Sequence, residues 1–258
     1  MNDPVLTQQH GNILEIALNR PEAYNALNLD LMKMLGGILS SASADQAIKG
    51  IFITGKGKAF CSGGDLKWIS QQSEEAGSVL YNLAPEFHFS ITEIRRMEKP
   101  VVAAINGIAA GGGFSLALAC DFRVMAHSAT LRQAYTSSGL SIDGGGSFAL
   151  PRIIGLARAM EIMAFDNPIV AEQALEWGLV TKVVPDDEVV TEALSMLDTL
   201  SQGALHSFAW SKKLMTDSFN NTLETQLELE RQGISDCAAH PNGREGLRAF
   251  VEKRKPSF

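Results

Sequence analysis

The sequence has little of what several classes of protein require. Its three cysteines, Cys61, Cys120 and Cys237, form neither a C-x-x-C pair nor a zinc-like spacing, so we expect a reducing compartment and no bound metal. No window holds the roughly 18 apolar residues that span a bilayer, and residues 1–11 lack the basic start and apolar stretch of a signal peptide. The formal net charge is −7, and no dense basic stripe offsets it, which argues against a nucleic-acid partner. The sequence predicts a soluble, cytoplasmic protein without a membrane anchor.

Short apolar runs alternate with helical patterns in the first half of the chain. The runs at 50–54 and 100–105 are typical of buried parallel strands, because no charged residue marks a solvent face. From Gly155 onward the chain is almost entirely helical in its pattern. We therefore expect an α/β core over residues 1–190 and a helical region over residues 191–258 that serves an oligomer interface.

Two glycine turns each follow one of these apolar runs and lead into a predicted helix. The first contains Ser62-Gly63-Gly64, and the second contains Gly111-Gly112-Gly113. A peptide N–H at the start of a helix has no partner within the helix, and glycine lets a ligand approach the backbone closely. Two such N–H groups aimed at one point can hold a carbonyl oxygen as it becomes an oxyanion.

With their flanks, these turns resemble the two signature segments of the crotonase superfamily, the enoyl-CoA hydratases and isomerases. The matching segments are residues 59–66 and 99–113, and residues 20–28 and 171–180 are similar to two further family segments. The resemblance implies a spiral of ββα units with a helical C-terminal trimerisation region, in a homotrimer or a dimer of trimers. It also implies an acyl-CoA thioester as the substrate, with coenzyme A as part of that substrate and no separate cofactor.

The resemblance implies roles for individual residues as well. The two N–H groups that hold the thioester oxygen fall on Gly64 and Gly112. Positions whose backbone surrounds the adenine of coenzyme A fall on Ala23, Ser62, Asp65 and Leu66, and Lys67 is placed to meet a phosphate. Two further positions fall on Phe250 and Lys253. The last two belong to a C-terminal helix that closes over the nucleotide, often from the neighbouring subunit. Basic groups suit a polyanionic ligand there, and an ordinary surface lysine is the alternative interpretation for Lys67 and Lys253.

Acid and base residues decide which reaction follows. The family's hydratases place two glutamates across the substrate, and the matching positions here are Ser115 and Tyr135, which disfavours a hydratase with the usual pair. The candidate carboxylate is Asp143, at a position where the family's isomerases and dehalogenases carry one. One carboxylate suffices for a 1,3-proton shift. The alternative interpretation of Asp143 is an N-cap for the helix that follows.

Two further residues leave alternatives open. His88 aligns with a histidine that acts as general base in the family's chlorobenzoyl-CoA dehalogenases, and a buried, hydrogen-bonded histidine is the other interpretation. Tyr135 is expected either to hydrogen-bond the acyl group or to line its pocket, together with residues 69–89. The sequence thus predicts a double-bond or ring-acyl isomerase that uses Asp143. Enoyl-CoA hydratase, a dehalogenase or hydrolase with Asp143 as nucleophile, and a non-catalytic acyl-CoA-binding protein remain alternatives.

Overall fold

Ten strands form two sheets in the computed structural model, which describes residues 3–258. The strands are β1 (Val5–His10), β2 (Ile13–Leu18), β3 (Gly50–Gly55), β4 (Ala59–Cys61), β5 (Val101–Ile105), β6 (Ile108–Ala110), β7 (Phe122–Ala126), β8 (Thr130–Arg132), β9 (Ile169–Val170) and β10 (Lys182–Val184). The larger sheet has the order β1-β2-β3-β5-β7-β10. In it β1 pairs antiparallel with β2, and the remaining neighbours pair parallel. Its central strands β3 and β5 are buried along their whole length, as parallel strands are when other elements cover them.

The smaller sheet has the order β4-β6-β8-β9. Strands β4, β6 and β8 pair parallel, and β9 joins β8 antiparallel. Each of these three parallel strands follows a strand of the larger sheet and precedes a helix, which gives three successive ββα units. The predicted ββα architecture is therefore confirmed, and the units place the ends of β4 and β6, where the glycine turns begin, side by side.

Residues 3–258 also form eleven α-helices. They are α1 (Leu29–Ala44), α2 (Leu66–Ser70), α3 (Ala76–Arg96), α4 (Gly112–Ala119), α5 (Gly146–Ile154), α6 (Leu156–Phe165), α7 (Ala171–Glu176), α8 (Val189–Ser201), α9 (Leu205–Asp217), α10 (Leu223–Ala239) and α11 (Pro241–Val251). Side chains cap several of them: Asn28 accepts the Leu31 N–H at the start of α1, and Thr222 accepts the Thr225 N–H at the start of α10. Within the described residues, no helix is long and apolar enough to cross a membrane.

Helix α8 packs against the larger sheet. Its residues Val189, Ala193 and Leu197 are fully buried, and a Cβ built on Gly50 of β3 would lie 2.9 Å from Leu197 Cδ2. The predicted boundary at residue 190 lies inside this helix. The three helices α9–α11 form the helical region that the sequence indicates at the C-terminus.

Lys212 of α9 ties that helical region to the core. Its ammonium donates to the carbonyl oxygens of Ile94 and Lys99 at 2.9 and 3.2 Å, and to Asp121 Oδ2 at 2.8 Å. Burial lowers the pKa of Lys212, and the Asp121 charge opposes this shift. Three acceptors around one buried cation compensate its lost hydration.

The structure also corrects the expectation of an almost purely helical chain from Gly155 onward. Strand β9 pairs with β8, and β10 forms the edge of the larger sheet beside β7. Both are too short, at two and three residues, to produce a periodic signal in the sequence.

Candidate active site

A cavity of about 160 Å³ lies where the two glycine turns meet helices α1 and α3. Its apolar wall comes mainly from the first three helices and the loop before α1, through Leu27, Met32, Ile69, Leu80, Leu83 and Phe87. Its polar lining includes Ser62, Gly64, Gly112, Tyr135, Ser138 and Asp143. A small, mostly apolar cavity with a few convergent polar groups is the usual form of a small-molecule site.

The peptide N–H of Gly64 is left free by the way its neighbours bond. The Leu27 N–H donates to the Gly63 carbonyl at 2.7 Å, and the Asp65 N–H donates to the Leu27 carbonyl at 3.0 Å. This parallel bridge between Leu27 and Gly64 uses the groups on either side of Gly64, so its own N–H faces away from Leu27. Among residues 3–258 it has no protein acceptor, and Gly64 lines the cavity.

Gly112 supplies the second free N–H. It is the first residue of the fully buried helix α4, so its N–H has no partner within the helix and lies at the positive end of the helix dipole. The two turns are packed against each other, because a Cβ built on Gly63 would lie 3.1 Å from the Gly112 nitrogen. Gly63 has a φ of 94°, a conformation open to glycine at little cost. The structure therefore brings the predicted pair of N–H groups to one cavity.

Asp143 lies in the loop before α5 and is the one acidic side chain that lines this cavity in the described part of the chain. Its Oδ1 is 2.6 Å from Nε2 of His88, which α3 carries. Both side chains are partly open to solvent, 42% for Asp143 and 51% for His88. His88 is therefore hydrogen-bonded as one interpretation expected, but it is not buried.

The N-cap interpretation of Asp143 is wrong. Helix α5 begins at Gly146, its cap residue is Gly145, and no side chain accepts a hydrogen bond there. The loop instead turns through Gly144 and Gly145, at φ of 60° and 74°. A Cβ on Gly144 would lie 2.2 Å from Phe87 Cε1, so the loop reaches its place against α3 because this position has no side chain.

Ser115 holds the same loop from the opposite side. Its buried hydroxyl donates to the Asp143 carbonyl oxygen at 2.7 Å and lies 3.4 Å from the Tyr135 hydroxyl. The two positions expected to carry glutamates in a hydratase thus form a neutral pair that supports the backbone of Asp143. Burial raises the pKa of Tyr135 to about 12, against the smaller opposing effect of the Ser115 hydroxyl, so the phenol is a neutral donor or acceptor near pH 7.

The segment that carries Tyr135 is held by two side chains that the sequence did not indicate. Ala134 lines the cavity in a left-handed conformation, with a φ of 58°, and its N–H donates to Asp166 Oδ1 at 2.6 Å. Asp166 is buried and is itself left-handed. The buried Gln133 Oε1 accepts from the N–H of Tyr135 at 3.0 Å. In the sequence, Asp166 is an ordinary loop aspartate before an Asn-Pro pair, which gives no signal of this contact.

The residues expected around coenzyme A divide into three groups. Ser62 and Leu66 line the cavity, and Ala23 adjoins it through its carbonyl oxygen, which is 3.5 Å from the Ser62 hydroxyl. The Asp65 carboxylate caps α2 at the Trp68 N–H and pairs with Arg20 at 2.8 Å, whereas the expected contact with the adenine is made by its backbone. Lys67, Phe250 and Lys253 are exposed and do not line the cavity of this single chain.

Comparison with known proteins gives one consistent result. Residues 8–258 match the family model described as enoyl-CoA hydratase/isomerase. The chain is 33% identical over 259 residues to the 1,2-epoxyphenylacetyl-CoA isomerase of Escherichia coli, covering 100% of this chain and 99% of that protein. It is 32% identical over 256 residues to the crotonyl-CoA hydratase of Syntrophomonas wolfei, covering 98% of this chain and 97% of that one. The crystal structure of an enoyl-CoA hydratase from Polaromonas matches with a TM-score of 0.93 at 38% identity, over 98% of both chains.

Proposed function

Since the chain belongs to the enoyl-CoA hydratase/isomerase family of the crotonase superfamily, we propose that it isomerises an acyl-CoA thioester by moving a double bond or opening a strained ring. One observation carries the proposal: Asp143 is the single acidic side chain lining the cavity within residues 3–258. A proton shift between two carbons needs one group that accepts and then returns a proton. The usual hydratase pair needs two carboxylates, and Ser115 and Tyr135 stand in their places.

In the proposed mechanism the thioester carbonyl oxygen accepts hydrogen bonds from the N–H groups of Gly64 and Gly112. Negative charge grows on this oxygen when a proton leaves the adjacent carbon, so the two donors bind the enolate more strongly than the ground state. Removing one such donor from an enzyme lowers kcat by about 100- to 1,000-fold. Both donors are backbone groups in rigid turns, and they need no reorganisation during the reaction.

Asp143 then moves the proton. With a 3-enoyl-CoA, its carboxylate takes a proton from C2, and the electron pair delocalises over the double bond and the carbonyl as a dienolate. The Asp143 carboxylic acid returns the proton to C4, the C3–C4 double bond moves to C2–C3, and the carbonyl is restored. The product is the 2-enoyl-CoA isomer, with no net change in oxidation state. His88, hydrogen-bonded to Oδ1, leaves Oδ2 of the carboxylate for this work.

A ring-acyl substrate is the second form of the same proposal. The relative from Escherichia coli is named for the isomerisation of an epoxyphenylacetyl thioester, and the apolar wall here includes the aromatic side chain of Phe87. Coenzyme A is proposed to lie along Ala23, Ser62, Asp65 and Leu66, with Lys67 near a phosphate. Phe250 and Lys253 would come from a neighbouring copy in a homotrimer or dimer of trimers, in the cytoplasm.

The test is an assay of 3-enoyl-CoA isomerisation by the purified enzyme and by Asp143→Asn. We expect the variant to lose at least 100-fold in kcat, because the amide cannot carry the proton. Asp187→Asn, at an exposed aspartate remote from the cavity lining, is the matched control and should keep full activity. Full isomerase turnover by Asp143→Asn would contradict the mechanism.

Hydration of 2-enoyl-CoA is the second candidate, because the Syntrophomonas relative is named a hydratase. Asp143 would then activate a water molecule without a second carboxylate. Incubation with 2-enoyl-CoA and detection of 3-hydroxyacyl-CoA separates this candidate from the isomerase. A covalent aspartyl ester on Asp143 with aryl thioesters, detected by mass spectrometry, would instead favour the displacement mechanism.

A further inference from the structure

A second cavity lies apart from the active site and collects positive charge. Its volume is about 150 Å³, and it shares no lining residue with the first cavity. Three arginines from three different elements line it: Arg95 near the end of α3, Arg123 of β7 and Arg152 of α5. Because separate elements deliver the three side chains, their proximity is a property of the fold rather than of one helix face.

The charges in this cavity do not balance. Its one acidic lining residue in the described chain is Asp121, and Lys212 already pairs with that carboxylate at 2.8 Å. Within residues 3–258, none of the three arginines has a carboxylate within 4 Å. The net positive charge of the cavity is therefore that of the three guanidinium groups.

Neutral oxygens of the protein accept only some of the N–H donors of the three arginines. Arg123 donates to the carbonyl oxygens of Leu179 and Cys120 at 2.6 and 2.7 Å. Arg95 donates to Thr216 Oγ1 at 3.1 Å, and Arg152 donates to the carbonyl oxygen of its own helix residue Phe148 at 2.9 Å. Each guanidinium has five N–H donors. In the described chain, several guanidinium nitrogens have no protein acceptor. They are Nη2 of Arg123, Nε and Nη1 of Arg95, and Nε and Nη2 of Arg152.

Two of the three guanidinium groups, those of Arg95 and Arg123, are close enough for the charge of one to act on the other. Burial lowers the pKa of Arg123, and the positive charge of Arg95 lowers it further, against the opposing effect of Cys120 and Asp121. Arg95 acts in the same direction on Lys212. Like charges that share a partly buried site repel each other unless an anion lies between them.

Arg152 is presented in a way that suits an anion. Its guanidinium carbon lies 3.6 Å from the ring centre of Phe148 and 5.0 Å from that of Phe219. Cation–π contacts hold the planar group by its faces, while its N–H donors point outward along its edge. A guanidinium edge matches two oxygens of a phosphate or carboxylate group.

We propose that this cavity is a binding site for a small oxyanion, held by Arg95, Arg123 and Arg152. Its volume is below the roughly 300–1,000 Å³ of pockets for drug-sized ligands, so a free ion or a single terminal group fits, and a whole nucleotide does not. The shared chemistry is that of phosphate, sulfate and carboxylate. The site is independent of the proposed isomerase reaction and uses none of its residues.

Thermal unfolding with inorganic phosphate as the probe tests this site. At constant ionic strength, set with chloride, we expect phosphate to raise the Tm saturably, by about 3–5 °C at ten times its Kd. Arg95→Gln and Arg152→Gln should each weaken phosphate binding at least tenfold, as titration calorimetry would measure. Arg158→Gln is the matched control, because Arg158 also stacks on an aromatic ring, that of Trp177, but does not line the cavity.

Three results would overturn the proposal. One is an equal Tm in phosphate and in chloride. Another is a phosphate response that Arg95→Gln and Arg152→Gln both retain, which would assign the binding to a different site. The third combines two observations: phosphate has no effect on the unaltered protein, and both variants differ from it in the oligomer mass measured by sedimentation. That result would show that the three arginines pair with a carboxylate of a second copy. Circular dichroism in chloride confirms that each variant is folded before it is compared.

Discussion

Nε2 of His88 lies 2.6 Å from Oδ1 of Asp143, so α3 and the loop before α5 meet through one hydrogen bond at the edge of the cavity. The contact joins residues 55 positions apart in the sequence. It fixes the orientation of the carboxylate that the proposed mechanism uses. Backbone support from Ser115 acts on the same residue, so the position of Asp143 is determined from two sides.

We expect His88→Ala to lower kcat by about 10- to 100-fold, because loss of orientation at a reacting group has an effect of this size. KM should change less, since the thioester oxygen and coenzyme A do not contact His88 in the proposed mechanism. His88→Gln, whose amide can donate to Asp143, should recover part of the loss. His127→Ala is the control, because His127 forms a similar exposed pair with Glu172 at 2.7 Å. An unchanged kcat in His88→Ala would contradict the positioning role.

Gly144→Ala should destabilise the protein strongly. The new Cβ would lie 2.2 Å from Phe87 Cε1, in a residue whose φ is 60°. Steric overlap in a packed region costs about 1–3 kcal/mol, and a left-handed alanine adds about 1 kcal/mol. Gly139→Ala shares the positive φ, 70°, but nothing lies within 4 Å of its Cβ, so only the smaller conformational term should appear. Urea unfolding of the two variants measures the difference, and equal losses would contradict the clash.

The sequence predicted the parts of the site that depend on local backbone chemistry. The two glycine turns and the buried strands before them follow from residue type and spacing, and their N–H groups reach one cavity. Asp143 lines the same cavity, but the sequence alone leaves its N-cap interpretation open. Two glycines in left-handed conformation, Gly144 and Gly145, lead into α5 instead, and a local aspartate preference cannot reveal that.

Contacts between distant segments were beyond the sequence. The pairing of His88 with Asp143 and of Ala134 with Asp166 depends on how α3, α5 and β8 pack, which no residue pattern encodes locally. Strands β9 and β10 were missed for a related reason. Their two and three residues are strands because a neighbouring strand pairs with them, and tertiary context overrides weak local preference.

Asp166 should prove to be a positioning residue for Tyr135. Its Oδ1 accepts the N–H of Ala134, next to Tyr135, at 2.6 Å. Asp166→Gly relieves the left-handed conformation but leaves the Ala134 N–H without its acceptor, and we expect a loss of about 1–3 kcal/mol in stability. Asp166→Asn keeps an acceptor oxygen and should restore most of the stability and the KM for the thioester. If the two variants behave alike in urea unfolding and in KM, the hydrogen bond has no such role.

Alkaline conditions should destabilise the protein through groups that remain protonated when folded. Burial raises the pKa of the Cys61 and Cys120 thiols from 9.0 to about 12, and that of Tyr135 from 10.0 to about 12. Unfolding exposes all three, so above pH 9 the unfolded chain releases protons that the folded chain retains. The stabilising contribution is complete below the unfolded values and is lost as pH rises through the folded values, so the free energy of unfolding falls between about pH 9 and 12. Cys61→Ala should make this decline shallower, as urea unfolding at several pH values would measure.

Thiol labelling at pH 8 gives an independent check. The less buried Cys237 should react quickly, while Cys61 and Cys120 should react only when the protein unfolds. Rapid labelling of all three thiols in the folded protein would show that the two buried ones are accessible and would remove the basis of the pH dependence.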